Sequence, residues 1–338
     1  MLPFFNRPQQ VAQCLTHLIR QANSHTTFLL IDDGSRPRGA ENPHLRKLLL
    51  LERVHLICHG ENCGIAAARN SGLNWCRKKG FDLVIMIDSD CTPESNFIEE
   101  HVRLHLKHPE AICIGGTVRG SGKSVWARLD GLTSWVHCSP TSSASVFTGD
   151  EFRPVEPPYH LPTANFSVKL GRLPKRVFAF DERLKTGEDC LFVRELRERG
   201  ERSGNKVVFY SSTPVVVHQD REELWSVVKR HYEWGHHQYF LQLGANFSRR
   251  CFHPLYRLVF ALSFLPFLPV FALYATLINS RTIFDSEKDQ IQYCPLIYLL
   301  WICKGVAIVE AAIRPWHCLR VPREKVQYEE VFFHTGDI

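Results

Sequence analysis

LVIMIDSDCTP, residues 83–93, is the stretch whose reading decides the fold. Leu83 to Ile87 is an unbroken apolar run, as expected of a strand buried on both faces. It stops on two carboxylates one residue apart, Asp88 and Asp90. Alternate residues beyond a strand end can reach one hydrated divalent ion once the backbone turns. Hard oxygen ligands of this kind suit Mg²⁺ or Mn²⁺, which bind through one or two carboxylates plus substrate phosphates. Taken alone, a D-x-D is equally an ordinary solvated strand cap, so the surrounding sequence has to choose.

Outward from this strand the chain keeps one rhythm. Leu2–Phe5, Phe28–Ile31 and Val54–Ile57 read as strands. Helical patterns fall between Val11 and Ile19, from Gly64 to Lys79, and near Ser95–His108. This βαβα order predicts an α/β domain with a mostly parallel sheet, helices on its faces and ligands beyond the carboxyl ends of the strands. Three such ends carry polar clusters: "NRP" at 6–8, "DDGS" at 32–35 and "DSD" at 88–90. In "DDGS" an Asp can accept hydrogen bonds from a base or a ribose, and Gly34 tolerates a positive φ. In "ENCGIAAARNSG", 61–72, small residues allow close backbone approach. Arg69 and Asn70 fall in the first turns of a helix, where phosphate is favoured.

Residues 119–163 are rich in Gly, Ser, Thr and Pro and read as loops. "TGEDCLF", 186–192, opens an amphipathic helix on two acids, either of which can accept a proton from an attacking hydroxyl; helix electrostatics alone would also place acids there. Val207–Tyr210 and Pro214–Val217 read as two strands, the second ending at His218. "KRHYEWGHH", 229–237, gathers cations, His and Trp without fixing a role for them.

The totals bound these readings. In 338 residues, 44% apolar and 22% charged, there is room for one large domain and an appendage, and wholesale disorder is excluded. A net charge of +6 is too mild to indicate nucleic acid, but suits anionic phosphates or an anionic membrane surface. The twelve cysteines contain no C-x-x-C pair, which argues against a zinc module and fits a reducing compartment. Met1–Asn6 has no secretory signature, so the chain is expected on the cytosolic side.

After Arg257 the composition changes. Leu258–Ile278 carries no charge, and Pro295–Ile313 is interrupted only by Lys304 and Glu310. Both are long enough to cross a bilayer. Arg249, Arg250 and Arg257 precede them and Arg314, Arg320, Arg323 and Lys325 follow, so a hairpin with both ends cytosolic obeys the positive-inside tendency. Helices lying in the membrane interface, or a buried helical cap, are the alternatives. The expected division is a domain over 1–245 (halves 1–118 and 119–245), a hydrophobic hairpin over 255–315 and a tail over 316–338.

In order, "LPFFNRP", "IDDGS", "NCGIAAARNSG", "IDSDCTP", "TANFSV", "FDERLKTGED", "VVVH" and "RHYEWG" resemble the family 2 glycosyltransferases with a GT-A fold, over about the first 240 residues. The resemblance implies a sugar-nucleotide donor, UDP- or GDP-linked, a Mn²⁺ or Mg²⁺ cofactor, and inverting transfer of one sugar to a hydroxyl acceptor that is lipid-linked or close to a membrane. It implies that Pro3, Phe5, Asp33, Arg69 and Asp88 bind the nucleotide and that Asn165 lies in the sugar and acceptor region. Asp90 falls to the metal, with His218 near the diphosphate as a second ligand, and Asp189 to the general base beside Glu188. The departures are a first strand that begins almost at Met1 and the absence of Q-x-x-R-W, which favours single-sugar transfer over processive synthesis. The membrane segments then place the enzyme on the cytoplasmic face of a membrane, with no nucleic-acid partner. Two rivals are a haloacid-dehalogenase-like phosphatase with Asp88 as nucleophile, suggested by D-x-D-x-T at 88–92, and a catalytically silent membrane-bound protein that binds nucleotide sugars.

Overall fold

The computed structural model describes residues 1–135, 152–156, 160–173, 180–243, 252–283, 287–321 and 326–332. The first half runs β1 (Leu2–Phe4), α1 (Pro8–Ile19), β2 (Phe28–Asp32), α2 (Pro43–Leu49), β3 (Val54–His59), α3 (Ile65–Lys78), β4 (Leu83–Ile87), β5 (Cys91–Pro93) and α4 (Phe97–Lys107). It continues with β6 (Cys113–Gly120), α5 (Val125–Trp135), β7 (Phe152–Pro154), β8 (Asn165–Lys169), α6 (Glu188–Arg202), β9 (Val208–His218) and α7 (Leu224–Gln238). Last come α8 (Pro254–Ile283), α9 (Glu287–Ile313), α10 (Pro315–Cys318) and β10 (Tyr328–Val331).

The fold is α/β, and its sheet is mixed rather than mostly parallel. β1, β2 and β3 are parallel neighbours, because α1 and α2 supply the crossovers that parallel pairing needs. The second sheet runs β4-β8-β6-β9-β5, and within it only β6 and β9 pair in parallel. Two main-chain bonds stitch the sheets together. The Met1 amino group donates to Ile85 O at 2.8 Å, and Ile87 N donates to Met1 O at 3.2 Å. The carboxyl ends of β2, β1 and β4 therefore lie side by side, which is where the sequence put its polar clusters.

Three sequence expectations change. The two strands expected at 207–217 are one, β9. Its partner β6 shifts register between Gly115 and Thr117, and this irregularity divides the apolar pattern. Part of the region read as loops is α5, whose Asp130 is wholly buried; residues 136–151 and 157–159 lie outside the described residues. The segment read as a tail supplies β10, antiparallel to β3 through Tyr328↔His59 and Val331↔Leu56. The sheet of the nucleotide half thus takes its edge strand from the far side of the hairpin.

The hairpin packs as a cap with one open side. Tyr293, Ile297 and Leu300 of α9 meet Leu129 of α5 and Val227 of α7, while Ile308, Ala311 and Ala312 meet Leu184, Leu191, Tyr239 and Phe240. At Gly235 of α7 any Cβ would stand 2.2 Å from Lys304 O, so the close approach of α7 and α9 depends on that glycine. Two charges within the apolar part of α9 are held on the protein side: Glu310 accepts from Tyr232 Oη and lies 2.9 Å from His236 Nε2, and Lys304 is buried. Arg257, counted in the sequence among the basic residues that precede the hairpin, donates to the terminal carbonyls of α9, Ala312 O at 2.7 Å and Ile313 O. Only 22% of the α8 apolar window is buried against 50% for α9, and Leu258, Leu262, Phe267, Val270 and Tyr274 of α8 face outward.

Candidate active site

The "DDGS" turn works first on the backbone. Asp32 accepts from Ser35 N (2.9 Å) and Gly39 N (2.7 Å), which shapes the loop after β2. Asp33, nearly inaccessible, accepts from Cys63 N (2.9 Å) and Gly64 N (2.8 Å), and its Oδ1 lies 2.7 Å from His59 Nδ1. A carboxylate offers about four acceptor positions, so Asp33 keeps one for a ligand. Pro3 is buried within β1, opposite Ile31, while Phe5 stands exposed just past the strand end.

Arg69 joins two motifs distant in sequence. From the second turn of α3, its Nη2 donates to Asp88 Oδ1 at 2.9 Å and its Nη1 to Glu188 Oε1. The guanidinium is buried, with its plane 5.7 Å from the Phe180 ring. Burial weakens the Arg69 charge, but Asp88, Glu188 and Asp189 outweigh it and hold its pKa above the ordinary value. Burial, with Asp189 alongside, pushes Glu188 up to about 7 although Arg69 pulls it down. Asp88 is also raised, by burial first and then by Asp90, with Arg69 and His218 opposing.

Asp90 differs from its neighbour. Burial pushes it up, but His218, Arg7 and Arg230 together outweigh that and hold its carboxyl below the usual range. Arg7 Nη1 donates to its Oδ2 at 2.8 Å, and His218 Nε2 lies 3.7 Å from its Oδ1. Pairing of β5 with β9 sets Cys91 opposite His218 and so fixes this proximity. Asp220 Oδ1 stands 3.3 Å from His218 Nδ1, an arrangement that orients the ring and turns Nε2 toward Asp90. An oxygen and a nitrogen donor at that separation, with a carboxylate behind the imidazole, fit a divalent ion, so Asp90 and His218 are the residues that would hold one. A second cluster, Asp33, His59 and Cys63, brings three ligand-type atoms within 4.8 Å of one another, but Asp33 is committed there to backbone N–H groups.

The helix that carries the acids begins at a strained turn. Gly187 has φ +82°, and a Cβ there would stand 2.7 Å from the His237 ring, so "TGED" can approach α7 only with glycine at this point. Asp189 is partly exposed, and its Oδ2 accepts from Thr163 N at 3.4 Å. Of the two acids it is the one Arg69 does not bind. His160 and His237 feel the Asp189 carboxylate and are held neutral by burial, His237 down to about 3.

Asn165 corrects an expectation. It is completely buried at the start of β8, where its Nδ2 donates to Thr117 O (2.8 Å) and Pro214 O (2.9 Å) and its Oδ1 lies 2.9 Å from His101 Nε2. Its amide is spent on joining β6, β8, β9 and α4, and nothing of it is left for a sugar. Several site residues escaped the sequence reading. Arg7 belonged to a polar strand end that was noted without a role. Arg230 stacks 5.5 and 4.9 Å from Trp135 and Trp234 and binds Asp130 at 2.8 Å. Arg221 feels Asp90 as well. The "KRHYEWGHH" cluster was the signal for Arg230, and Arg221 had none.

Residues 1–153 match the model of Glycosyl transferase family 2, a stretch that contains β1 to β6, the D-x-D strand end and Arg69. This stretch is similar to the family 2 glycosyltransferases. That match sets aside the phosphatase reading of Asp88, which lies inside it. Curated proteins similar to this chain include dTDP-rhamnosyl transferase RfbF of Shigella flexneri, 43% identical over 16% of this chain and 18% of that protein. The pre-mycofactocin glycosyltransferase of Mycobacterium tuberculosis is 27% identical over 61% of this chain and 40% of its own length. The glucosyl-dolichyl phosphate glucuronosyltransferase of Haloferax volcanii is 38% identical over 20% and 21%. The chain thus spans less than half the length of each of these relatives.

Proposed function

We propose that the protein transfers one sugar from a nucleoside-diphosphate donor to a hydroxyl acceptor, with inversion and with help from a divalent ion. The observation that carries this reading is Arg69, bound at once to Asp88 and Glu188. It draws the strand-end acids and the first turn of α6 into one cleft, donor side and base side together.

In that cleft Phe5 and Asp33 flank the nucleoside, Asp33 with its one spare acceptor. Asp189 takes the proton from the acceptor hydroxyl as that oxygen attacks the anomeric carbon, and a single in-line displacement inverts it. Glu188 holds Arg69, and Arg69 holds Asp88, so both serve as positioning groups. Arg7 and Arg230 set positive charge around Asp90, where the departing diphosphate gathers negative charge. Bound by Asp90 and His218, Mn²⁺ or Mg²⁺ would supply Lewis-acid stabilisation of that leaving group. UDP- or GDP-linked sugars are the donors that the family resemblance supports.

The outward apolar face of α8 supports attachment to a membrane surface, with the protein behind α9 rather than lipid around it. The same face supports a hydroxyl acceptor at or near that surface, and the basic residues that flank the hairpin in sequence support its cytoplasmic side. A thermal-shift screen of sugar nucleotides with and without Mn²⁺ tests the proposal. One donor should raise Tm by several degrees in Mn²⁺, and the rise should vanish in Asp90→Asn. Equal shifts in that variant would remove Asp90 from the site, and no shift with any donor would refute the transfer reading.

A further inference from the structure

Lys304 is a cation without a counter-ion among the described residues. It stands on α9 between Gln292 and Ile313, where it is the sole basic residue, and it is only 7% exposed. Its ammonium lies 4.4 Å from the Trp301 ring centroid and 5.5 Å from that of Trp234. Among the described residues it makes no hydrogen bond and no ion pair. Glu310, the other charge of α9 between Gln292 and Ile313, is satisfied by Tyr232 and His236. Aromatic faces stabilise a desolvated cation by about 2 kcal/mol, whereas burial of an unpaired ion costs several. The rings therefore leave most of the charge uncompensated.

What Lys304 faces gives the imbalance a use. His237 lies on α7 one turn beyond Trp234, whose ring Lys304 faces, and its own ring stands against Gly187, two residues before Asp189, so both charges act on it and on His160. Burial keeps both rings neutral, and His237 Nδ1 is buried without a partner. A carboxylate that takes a proton, two neutral imidazoles and an unpaired ammonium thus belong to one neighbourhood on the acceptor side. Neutral imidazoles suit hydroxyl groups, and an unpaired ammonium suits an anion.

We infer that Lys304 anchors an anionic group, phosphate or carboxylate, on the acceptor whose hydroxyl is delivered to Asp189. The inference rests on the transfer reading above and narrows it to acidic acceptors. It also gives the hairpin a part in substrate choice, since the anchoring residue comes from α9.

Calorimetric titration of the full chain tests it, with UDP or GDP in separate runs to fill the donor side. The probes are methyl phosphate, methyl glucuronoside and uncharged methyl glucoside. Wild type should bind one charged probe, Lys304→Met should lose about tenfold or more in its affinity, and Lys304→Arg should retain it. The neutral glucoside should not distinguish the three proteins. Preference for the phosphate points to a phosphate-linked acceptor, and preference for the glucuronoside to an acidic glycan. Lys304→Met should also melt no lower than wild type, because it removes a buried charge. Anion affinity unchanged in Lys304→Met, or no anion binding by wild type, would overturn the inference. Nucleotide binding in the same samples keeps the two claims apart: its loss in wild type sinks the transfer reading, and its presence beside a negative anion result sinks only the role of Lys304.

Discussion

The proposed donor and acceptor ends of the site are built in different ways. At the donor end, Asp33, Asp88, Asp90 and His218 all lie at or just past strand ends, each fixed by backbone pairing or by a bond from a neighbouring loop. At the acceptor end, Asp189, His160, His237 and Lys304 come from a helix start, a loop, α7 and the apolar α9. Strand ends make a rigid frame suited to a part of the substrate that recurs, the diphosphate. Packed helices make a shape that can be altered without disturbing that frame. The difference teaches where specificity can change at least cost to the fold.

Substitutions at the two ends should separate binding from turnover. The largest effect belongs to Asp189→Asn: transfer should fall by about 10²–10⁴-fold, with nucleotide affinity by calorimetry unchanged. If donor affinity fell in parallel, the two ends would not be separable. His218→Asn should do the reverse and weaken nucleoside-diphosphate binding in Mn²⁺ by roughly tenfold or more; the difference should shrink when the metal is chelated. Arg69→Met strikes the joint between the ends. It leaves Glu188 buried without its cation and should cost about 3–5 kcal/mol in urea unfolding. A loss under 1 kcal/mol would mean that the bridge contributes little to holding the cleft together.

The smallest effect is one of pH. Folding raises the Glu188 pKa from its ordinary 4.5 to about 7, chiefly by burial. Between those values the unfolded chain has released a proton that the folded chain keeps, so ionisation of Glu188 lowers stability as pH rises through that window. Glu188→Gln lacks this penalty, and its Tm relative to wild type should climb from acid to neutral pH. A constant difference would place the Glu188 pKa near its ordinary value and make the Arg69 pair a plain buried ion pair.

The donor end was legible because its residues obey short-range rules. A buried strand has to stop, and acids at its tip follow within two residues, so Asp33, Asp88 and Asp90 could be read one motif at a time. Asn165 was read from family position alone, and the structure buries it as a four-element joint, a role that depends on contacts no local pattern records. α5 was hidden because its Gly, Ser and Thr resemble loop composition, while the contacts that hold Asp130 come from Arg221 and Arg230, far along the chain. Lys304 looked like an interruption in a membrane segment. Hydropathy could not tell α8 from α9, at 2.1 and 2.0, and only packing against α7 separates them.

The return of the chain as β10 has a practical consequence. Leu319 bridges to Leu184, Arg320 donates to Asn62 Oδ1 at 3.2 Å, and β10 then closes the edge of β3. The hydrophobic pair of helices is therefore an insertion whose two ends are both sewn into the catalytic body. Cutting the gene before Pro254 to obtain a soluble fragment would also strip that sheet of its border, and a shortcut that replaces the insertion with a brief linker while keeping residues 314–332 is the version that should stay folded.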